Sequence, residues 1–306
     1  MSMVKDEADI VAECLVAATH WADHIYVFDN GSTDGSWEIV QGLAAEHPAI
    51  VPWKSDDVTF HDGLRAQIFE AFRARSEPGD WWCRFDTDEF YVDDPRIFLR
   101  KVPERYRVVW MASFSYYFTD KDADRYAQDP GLYADNVPIE EKIRYYVNHW
   151  SEPRFFRYRE DIRWSSGGFP AFVETSAAYP VRIWQKHFAY RSPQQIAKRL
   201  AARHPDKTGA VFAHETIADW GAAVGAVRST RDLMDKSGAE FATLRWEDRV
   251  VPAASLDYDE HDRRLAVNES LMPPLPTDPT PAQRLRRLRR RGVDALRGLR
   301  RRLTGP

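Results

Sequence analysis

The tightest constraint on this chain is an apolar run that ends on acid: Trp81-Trp82-Cys83-Arg84-Phe85 passes directly into Asp86-Thr87-Asp88-Glu89-Phe90. Such a run reads as a buried strand, and the carboxyl end of a strand is where an open α/β sheet holds its ligands. Asp86 and Asp88 stand one residue apart. They can grip one hard divalent cation, which takes oxygen ligands and completes its shell with water and substrate phosphate. An Asp-x-Asp by itself is also an ordinary acidic turn. The segments that lead to it narrow the choice.

Two earlier apolar runs end in the same way. Met1 to Val4 is followed by Lys5-Asp6-Glu7, and His24 to Asp29 by Asn30-Gly31-Ser32-Thr33-Asp34-Gly35. Between them, Ile10, Val11, Cys14, Leu15, Ala18 and Trp21 fall on one helical face within residues 7–22. Ser32, Thr33 and Asp34 offer N-cap oxygens for a second helix with Trp37, Val40, Leu43 and Ala44 on its face, stopped at Pro48. Ala49 to Trp53 reads as a strand, and Leu64, Ile68, Ala71 and Phe72 mark a third helix. Strand and helix alternate, which implies an α/β protein: a mostly parallel sheet with helices on both faces. Tyr106 to Phe114 extends the sheet. The first strand is short for one buried in a sheet; it is either a truncated edge or begins further upstream.

The order Lys-Asp-Glu, Asp-Asn-Gly-Ser-Thr-Asp-Gly, Asp-x-Asp-Glu-Phe resembles the family 2 glycosyltransferases of the GT-A fold. The match is to the branch with a Lys-Asp/Asn-Glu opening, and it spans residues 1–120, with a fainter echo over 150–200. The resemblance implies a Rossmann-like GT-A domain and a metal-dependent, inverting transfer of a sugar from a nucleoside-diphosphate sugar, a UDP-sugar above all. It implies Mn²⁺ or Mg²⁺ at Asp86 and Asp88, the second the more direct ligand and the first turned to the ribose. Glu89 would support them. Asp29 would accept a hydrogen bond from the base, or close an Asx-turn onto Gly31. Glu7 and Arg65 would face the nucleotide. His187, in Gln185-Lys186-His187-Phe188-Ala189-Tyr190-Arg191-Ser192, would complete the metal site or meet the diphosphate, and Lys186 and Arg191 would reach phosphate oxygens. For His187 the alternative is a satisfied core histidine, and for Lys186, Arg65 and Arg191 a solvated surface charge.

Inverting transfer needs a base for the acceptor hydroxyl. Glu152, in Trp150-Ser151-Glu152-Pro153-Arg154, is the candidate; Glu174, Asp161, Glu140 and Glu141 are rivals, and Asp120 and Asp122 stand close to the sheet. The resemblance implies an acceptor that is an envelope glycan, a lipid-linked molecule or similar, and the sequence does not identify it. Residues 115–180 read as a loop-built acceptor region, Val181 to Tyr190 as a strand, Ser192-Pro193 as a helix start and 214–236 as helical.

The expected organisation is a nucleotide-sugar half over 1–120, an acceptor half with helices over 121–271, a proline-rich linker over 272–282 and a basic amphipathic tail over 283–306. The net charge of −4 conceals an asymmetry, because the segment from Arg284 to Pro306 carries +9 and the rest of the chain −13. In the tail, Leu285, Leu288, Val293, Leu296, Leu299 and Leu303 recur at helical spacing among ten arginines, a pattern suited to an anionic membrane surface. Two cysteines, Cys14 and Cys83, provide no disulfide framework, and no apolar run is long enough to span a bilayer. These features point to the cytoplasm or the cytoplasmic face of a membrane. The aromatic content is high at 13% and suits a sugar-binding groove as well as a core. Two other functions remain open. A sugar nucleotidyltransferase would show a glycine-rich loop after the first strand, where this chain has Lys5-Asp6-Glu7. A non-enzymatic module would use the tail on nucleic acid, a partner not expected here.

Overall fold

The computed structural model describes residues 1–164, 167–173, 176–203, 212, 215, 220, 224, 244–260 and 265–278. Its first layer is a four-stranded, wholly parallel sheet built from β1 (Ser2–Val4), β2 (Ile25–Asp29), β3 (Ile50–Ser55) and β5 (Phe85–Asp86), in the order β3-β2-β1-β5. β4 (Trp81–Cys83) runs straight into β5 and pairs antiparallel with β9 (Pro153–Arg157). This apolar run therefore joins the parallel sheet to a second, mixed one. There β7 (Val108–Tyr117) is the longest strand, flanked by β8 (Tyr145–Trp150) and β9 on one side and by β10 (Ile183–His187) in parallel. β6 (Glu89–Tyr91) pairs antiparallel with β10, and β11 (Asp257–Tyr258) with β8. The strands after residue 120 thus close onto strands before it.

Alternation along β1 and β2 explains helices on both faces. Val4, Ile25 and Val27 pack with Val11, Cys14, Leu15 and Ala18 of α1 (Val11–Thr19) and with Val40 of α2 (Ser36–Glu46). Met3, Tyr26 and Phe28 point the other way, onto Leu64, Ile68 and Phe69 of α3 (Leu64–Phe72). Phe69 is fully buried and meets Trp82, Phe156, Tyr158 and Trp164. Burying one such ring contributes about 1.5–3 kcal/mol, so this part of the aromatic content is core. α4 (Pro95–Arg100) is capped by Asp94, and α5 (Asp120–Gln128) opens on a Thr119–Asp122 capping box. α6 (Ile139–Lys142) and α7 (Pro193–Arg203) complete the helices.

Several expectations change. β1 lies between β2 and β5, so it is an interior strand rather than an edge. The region 115–180 is not chiefly loop; it holds β8 and β9, whose apolar positions are divided between partners on two sides. Residues 273–276 are docked: the carbonyl of Pro276 accepts from the Ala178 N–H and that of Pro273 from Arg182. Glu174, the tail over 283–306 and, apart from isolated positions, the helix expected over 214–236 lie outside the described residues.

The β2–α2 turn is held differently from the expected cap. Gly35, at φ +94°, precedes α2 without a side-chain cap, while the oxygens of Ser32, Asp34 and Ser36 accept the N–H groups of Asp6, Ala8 and Glu7 at 2.9, 3.2 and 2.8 Å. Asp6, with a left-handed φ of +53°, returns a bond to the Thr33 N–H at 2.7 Å. Gly31 has φ +73°, and a Cβ there would stand 2.7 Å from Cβ of Asp57. Gly31→Ala is therefore expected to lower stability by ~2 kcal/mol or more, through strain and the clash together. Urea unfolding of the variant checks this, and an unchanged midpoint would refute the strained reading of the turn.

Candidate functional site

β5 ends at Asp86, and a two-residue turn through Thr87 and Asp88 leads into β6 at Glu89. Because β6 pairs antiparallel with β10 in the register His187↔Glu89, the turn is brought beside the end of β10. Nε2 of His187 then lies 3.4 Å from Oδ2 of Asp88, and the Phe188 N–H donates to the Asp88 carbonyl at 2.9 Å. The histidine expected to join the acid pair does so through strand register.

Each carboxylate here is held by guanidinium. Arg154, on β9 and 4% exposed, reaches Oδ2 of Asp86 at 3.3 Å, Oε1 of Glu89, and Oε1 of Glu152 at 2.9 Å. Arg65, on α3 and equally buried, takes Oδ1 of Asp86 and bonds Asp62 at 3.2 Å. Glu89 is further tied by the amide of Gln185 at 2.9 Å and by the Asp86 N–H at 3.1 Å. Burial would raise the Asp86 carboxyl, but Arg65, Arg154 and Arg84 outweigh it and hold Asp86 well below the usual carboxylate range. For Glu89 burial wins over Arg154, and the carboxyl is pushed up to about 7.

A second cluster stands against the first. Arg191, with no exposed surface, donates Nε and Nη2 to Asp9 at 2.8 Å each, Nη2 to Glu7, and Nη1 to the Phe188 carbonyl at 2.8 Å. Its Nη1 also lies 3.9 Å from Asp88, and Nη1 of Arg199, on α7, lies 3.7 Å from Asp88 and 3.8 Å from Glu7. Burial raises the Asp88 carboxyl, yet His187, Arg199 and Arg191 together hold it far below its ordinary value. The reverse balance raises His187: burial opposes its charge, and Asp88 more than compensates. Glu7 is pushed up to about 7 by burial, with Arg191 pulling the other way and Asp88 adding to the rise.

The structure thus brings Glu7, Arg65, Asp86, Asp88, Glu152, His187 and Arg191 into one connected cluster. Four of the expected site residues have protein partners of their own. Arg191 commits four of its five N–H donors to Glu7, Asp9 and the Phe188 carbonyl, so it organises the acidic residues around it. Both oxygens of Asp86 are held by arginine, which leaves Asp86 poorly placed as a metal ligand. Lys186 projects from the face of β10 opposite Gln185 and His187 and pairs with Glu140 and Asp259 at 2.9 Å each. Asp29 is fully buried, with its carboxylate accepting from the Gly31 and Ser32 N–H groups at 3.1 Å and the Ser55 hydroxyl at 2.7 Å. It closes the turn onto Gly31 and Ser32. Glu152 sits in the short β8–β9 connection rather than at a helix start, 21% exposed. Arg154, Arg199, Asp9 and Gln185 were not singled out from the sequence; only pairing across distant strands reveals them. Cys14 and Cys83 are free and buried; burial drives the first thiol well up and the second to about 12, so neither is a ready thiolate.

Could this cluster hold Mn²⁺ or Mg²⁺? Asp88 and His187 place one oxygen and one nitrogen donor side by side, which suits two positions of a cation that fills the others with water and phosphate. Among the described residues no group of three or more His, Cys, Asp or Glu ligands exists. Arg191 and Arg199 also compete for Asp88. The residues therefore fit a cation that arrives with an anionic ligand, not a free-standing metal centre.

No family model matches the chain, and no curated protein matches it. Among solved structures it is similar to mannosyltransferase PcManGT from Pyrobaculum calidifontis in complex with GDP-Man and Mn²⁺, at 15% identity and a TM-score of 0.35. The match covers 70% of this chain and 63% of that one, so it spans less than two thirds of that protein. A likeness at this level assigns no ligand or activity.

Arg154 is the member whose loss should be felt most. Arg154→Met leaves Glu89 buried without its cation, frees Glu152 and leaves Asp86 with Arg65 alone, for an expected cost of about 3–5 kcal/mol. Adding Glu89→Gln should recover part of that cost. Denaturant midpoints of the single and double variants measure the coupling, and strictly additive losses would show that Arg154 and Glu89 do not act as a pair.

Proposed function

We propose that the chain is a glycosyltransferase that moves a sugar from a nucleoside-diphosphate sugar, a UDP-sugar above all, to a glycan or lipid-linked acceptor, with inversion. The observation that carries the reading is the Asp88–His187 pair at 3.4 Å, set at the carboxyl end of the strand that holds the Asp-x-Asp motif. The order of the three sequence motifs supports it and carries the family 2 assignment. Lys5-Asp6-Glu7 after β1, where a nucleotidyltransferase would need a glycine-rich loop, favours transfer over nucleotide activation.

Asp88 and His187 would hold Mn²⁺ or Mg²⁺. Such a cation, when bound, stabilises the charge that grows on the leaving diphosphate. Asp86, fixed by Arg65 and Arg154 and 27% exposed, would offer its free lone pairs to donor hydroxyls. Arg199, beside Asp88 and Glu7, adds positive charge at the same place. Glu152, partly exposed on the other side of Arg154, would take the proton from the acceptor oxygen as it attacks the anomeric carbon. The halves of the domain would then be 1–120 for the donor and 121–271 for the acceptor.

Asp88→Asn is expected to weaken Mn²⁺-dependent UDP binding at least tenfold, because a neutral amide is a poor cation partner. Glu152→Gln should leave that binding intact and lower turnover by a hundredfold or more. Calorimetry with UDP and Mn²⁺ and a transfer assay with a panel of sugar nucleotides separate the two. Unchanged Mn²⁺-dependent binding in Asp88→Asn would sink the metal assignment, and normal turnover in Glu152→Gln would remove it as the base.

Among the described residues no helix is long and apolar enough to cross a membrane. The proposal that residues 283–306 lie on an anionic membrane rests on the leucine and arginine spacing alone. It predicts that the full chain sediments with anionic vesicles at low salt, and that deleting 283–306 abolishes this while leaving donor hydrolysis unchanged. No sedimentation of the full chain would refute it.

A further inference from the structure

Arg199 is held unlike the other arginines of the acid cluster. Arg65 and Arg154 each place both terminal nitrogens on carboxylates, and Arg191 commits Nε and both terminal nitrogens. Arg199 gives one edge of its guanidinium to Glu215: Nε donates to Oε2 at 3.1 Å and Nη2 to Oε1 at 3.4 Å. Its third nitrogen, Nη1, forms no hydrogen bond among the described residues. It lies 3.7 Å from Asp88 and 3.8 Å from Glu7, within ion-pair range and beyond hydrogen-bond range.

Glu215 is itself fixed from behind. It is 6% exposed, and its backbone carbonyl accepts Nε and Nη2 of Arg249 at 3.1 and 2.5 Å. Arg249 is fully buried and lies over the ring of Trp220 at 5.1 Å. The Glu215 carboxylate also pairs with Arg203, which stands four residues from Arg199 on α7. Two like charges at that spacing repel, and the carboxylate between them cancels the repulsion. The Tyr190 hydroxyl reaches Glu215 at 3.4 Å, and the Tyr190 ring faces the Arg199 guanidinium at 5.5 Å. An acid on its edge and a ring on its face thus set the direction in which a long, flexible side chain arrives at Asp88.

We propose that Glu215 is a positioning residue of the transfer site: it holds Arg199 by the Nε and Nη2 edge, so that Nη1 is presented to the diphosphate of the donor beside Asp88. This role presupposes the nucleoside-diphosphate donor proposed above. When the diphosphate binds, its oxygens accept from Nη1, while the two bonds to Glu215 stay in place and keep the guanidinium from turning away.

The test is calorimetric titration of the full chain with UDP and Mn²⁺, and with uridine, which shares the base and ribose but has no phosphate. Glu215→Gln is expected to weaken UDP binding roughly tenfold, the scale of one charge-assisted hydrogen bond, and to leave uridine binding unchanged. Arg199→Gln should lose as much. The double variant should lose no more than Arg199→Gln alone, because Glu215 acts through Arg199. Should Glu215→Gln not fold, Glu215→Asp, which keeps the charge and shortens the reach, should show the same selective loss of UDP. Equal losses for UDP and uridine would make Glu215 a structural residue, and additive losses in the double variant would uncouple it from Arg199; either result overturns the proposal. Unchanged UDP binding in Glu215→Gln overturns it and leaves the donor reading intact. A wild-type chain that binds no UDP removes the donor reading and the proposal together.

Discussion

Everything at the acid cluster depends on guanidinium groups buried among carboxylates. Asp86, Asp88, Glu89, Glu7 and Asp9 stand at strand ends and in turns with little water around them, and an unpaired buried carboxylate costs several kcal/mol. Arg65 and Arg154 meet that cost on one side, Arg191 and Arg199 on the other. The arginines arrive from α3, β9, the segment after β10, and α7, four parts of the chain with no local connection. Removing one cation leaves buried acids short of a partner in the low-dielectric interior, so the cluster couples the parallel sheet to the mixed one.

The two turns that open the site are tied by a different device. The N–H groups of residues 6–8 have no helical partners, and the side chains of Ser32, Asp34 and Ser36 supply them from the neighbouring turn. Asp6 adopts a left-handed φ to return the bond, and Asn30 extends the contact by donating to the carbonyls of Asp56 and Val58 at 3.2 and 2.6 Å. The polar run Asp-Asn-Gly-Ser-Thr-Asp-Gly-Ser is therefore used chiefly to brace backbone. This is why Asp29, attractive as a ligand contact by position, is consumed in structure.

How legible was this in advance? The alternation of β1, α1, β2, α2, β3 and α3 could be read because each amphipathic face is complete within its own segment. β8 and β9 could not, since Tyr145–Trp150 and Pro153–Arg157 bury residues against three different neighbours and lack a clean period of two. Asp88 and His187 were legible as a pair only through the order of motifs; their contact follows from the β6–β10 register, which no local pattern encodes. Lys186 shows the limit most plainly. One residue from His187, it lies on the other face of the strand, where Glu140 and Asp259 claim it. In a strand, adjacency in sequence places two side chains on opposite sides.

The electrostatics of the site also bear on the order in which ligands bind. Asp88 already has His187 at 3.4 Å and Arg191 and Arg199 within 4 Å, so a lone divalent cation approaches a carboxylate whose charge is shared out. On the proposed function, a diphosphate would reverse the balance: its negative charge would draw Arg199 toward itself and supply oxygen ligands, while Arg191 stays anchored on Glu7 and Asp9. Cation and diphosphate should therefore bind as a unit, each raising the affinity of the other by the same factor, as linkage requires. If the proposed function holds, an anionic donor would supply the coordination positions that Asp88 and His187 leave open.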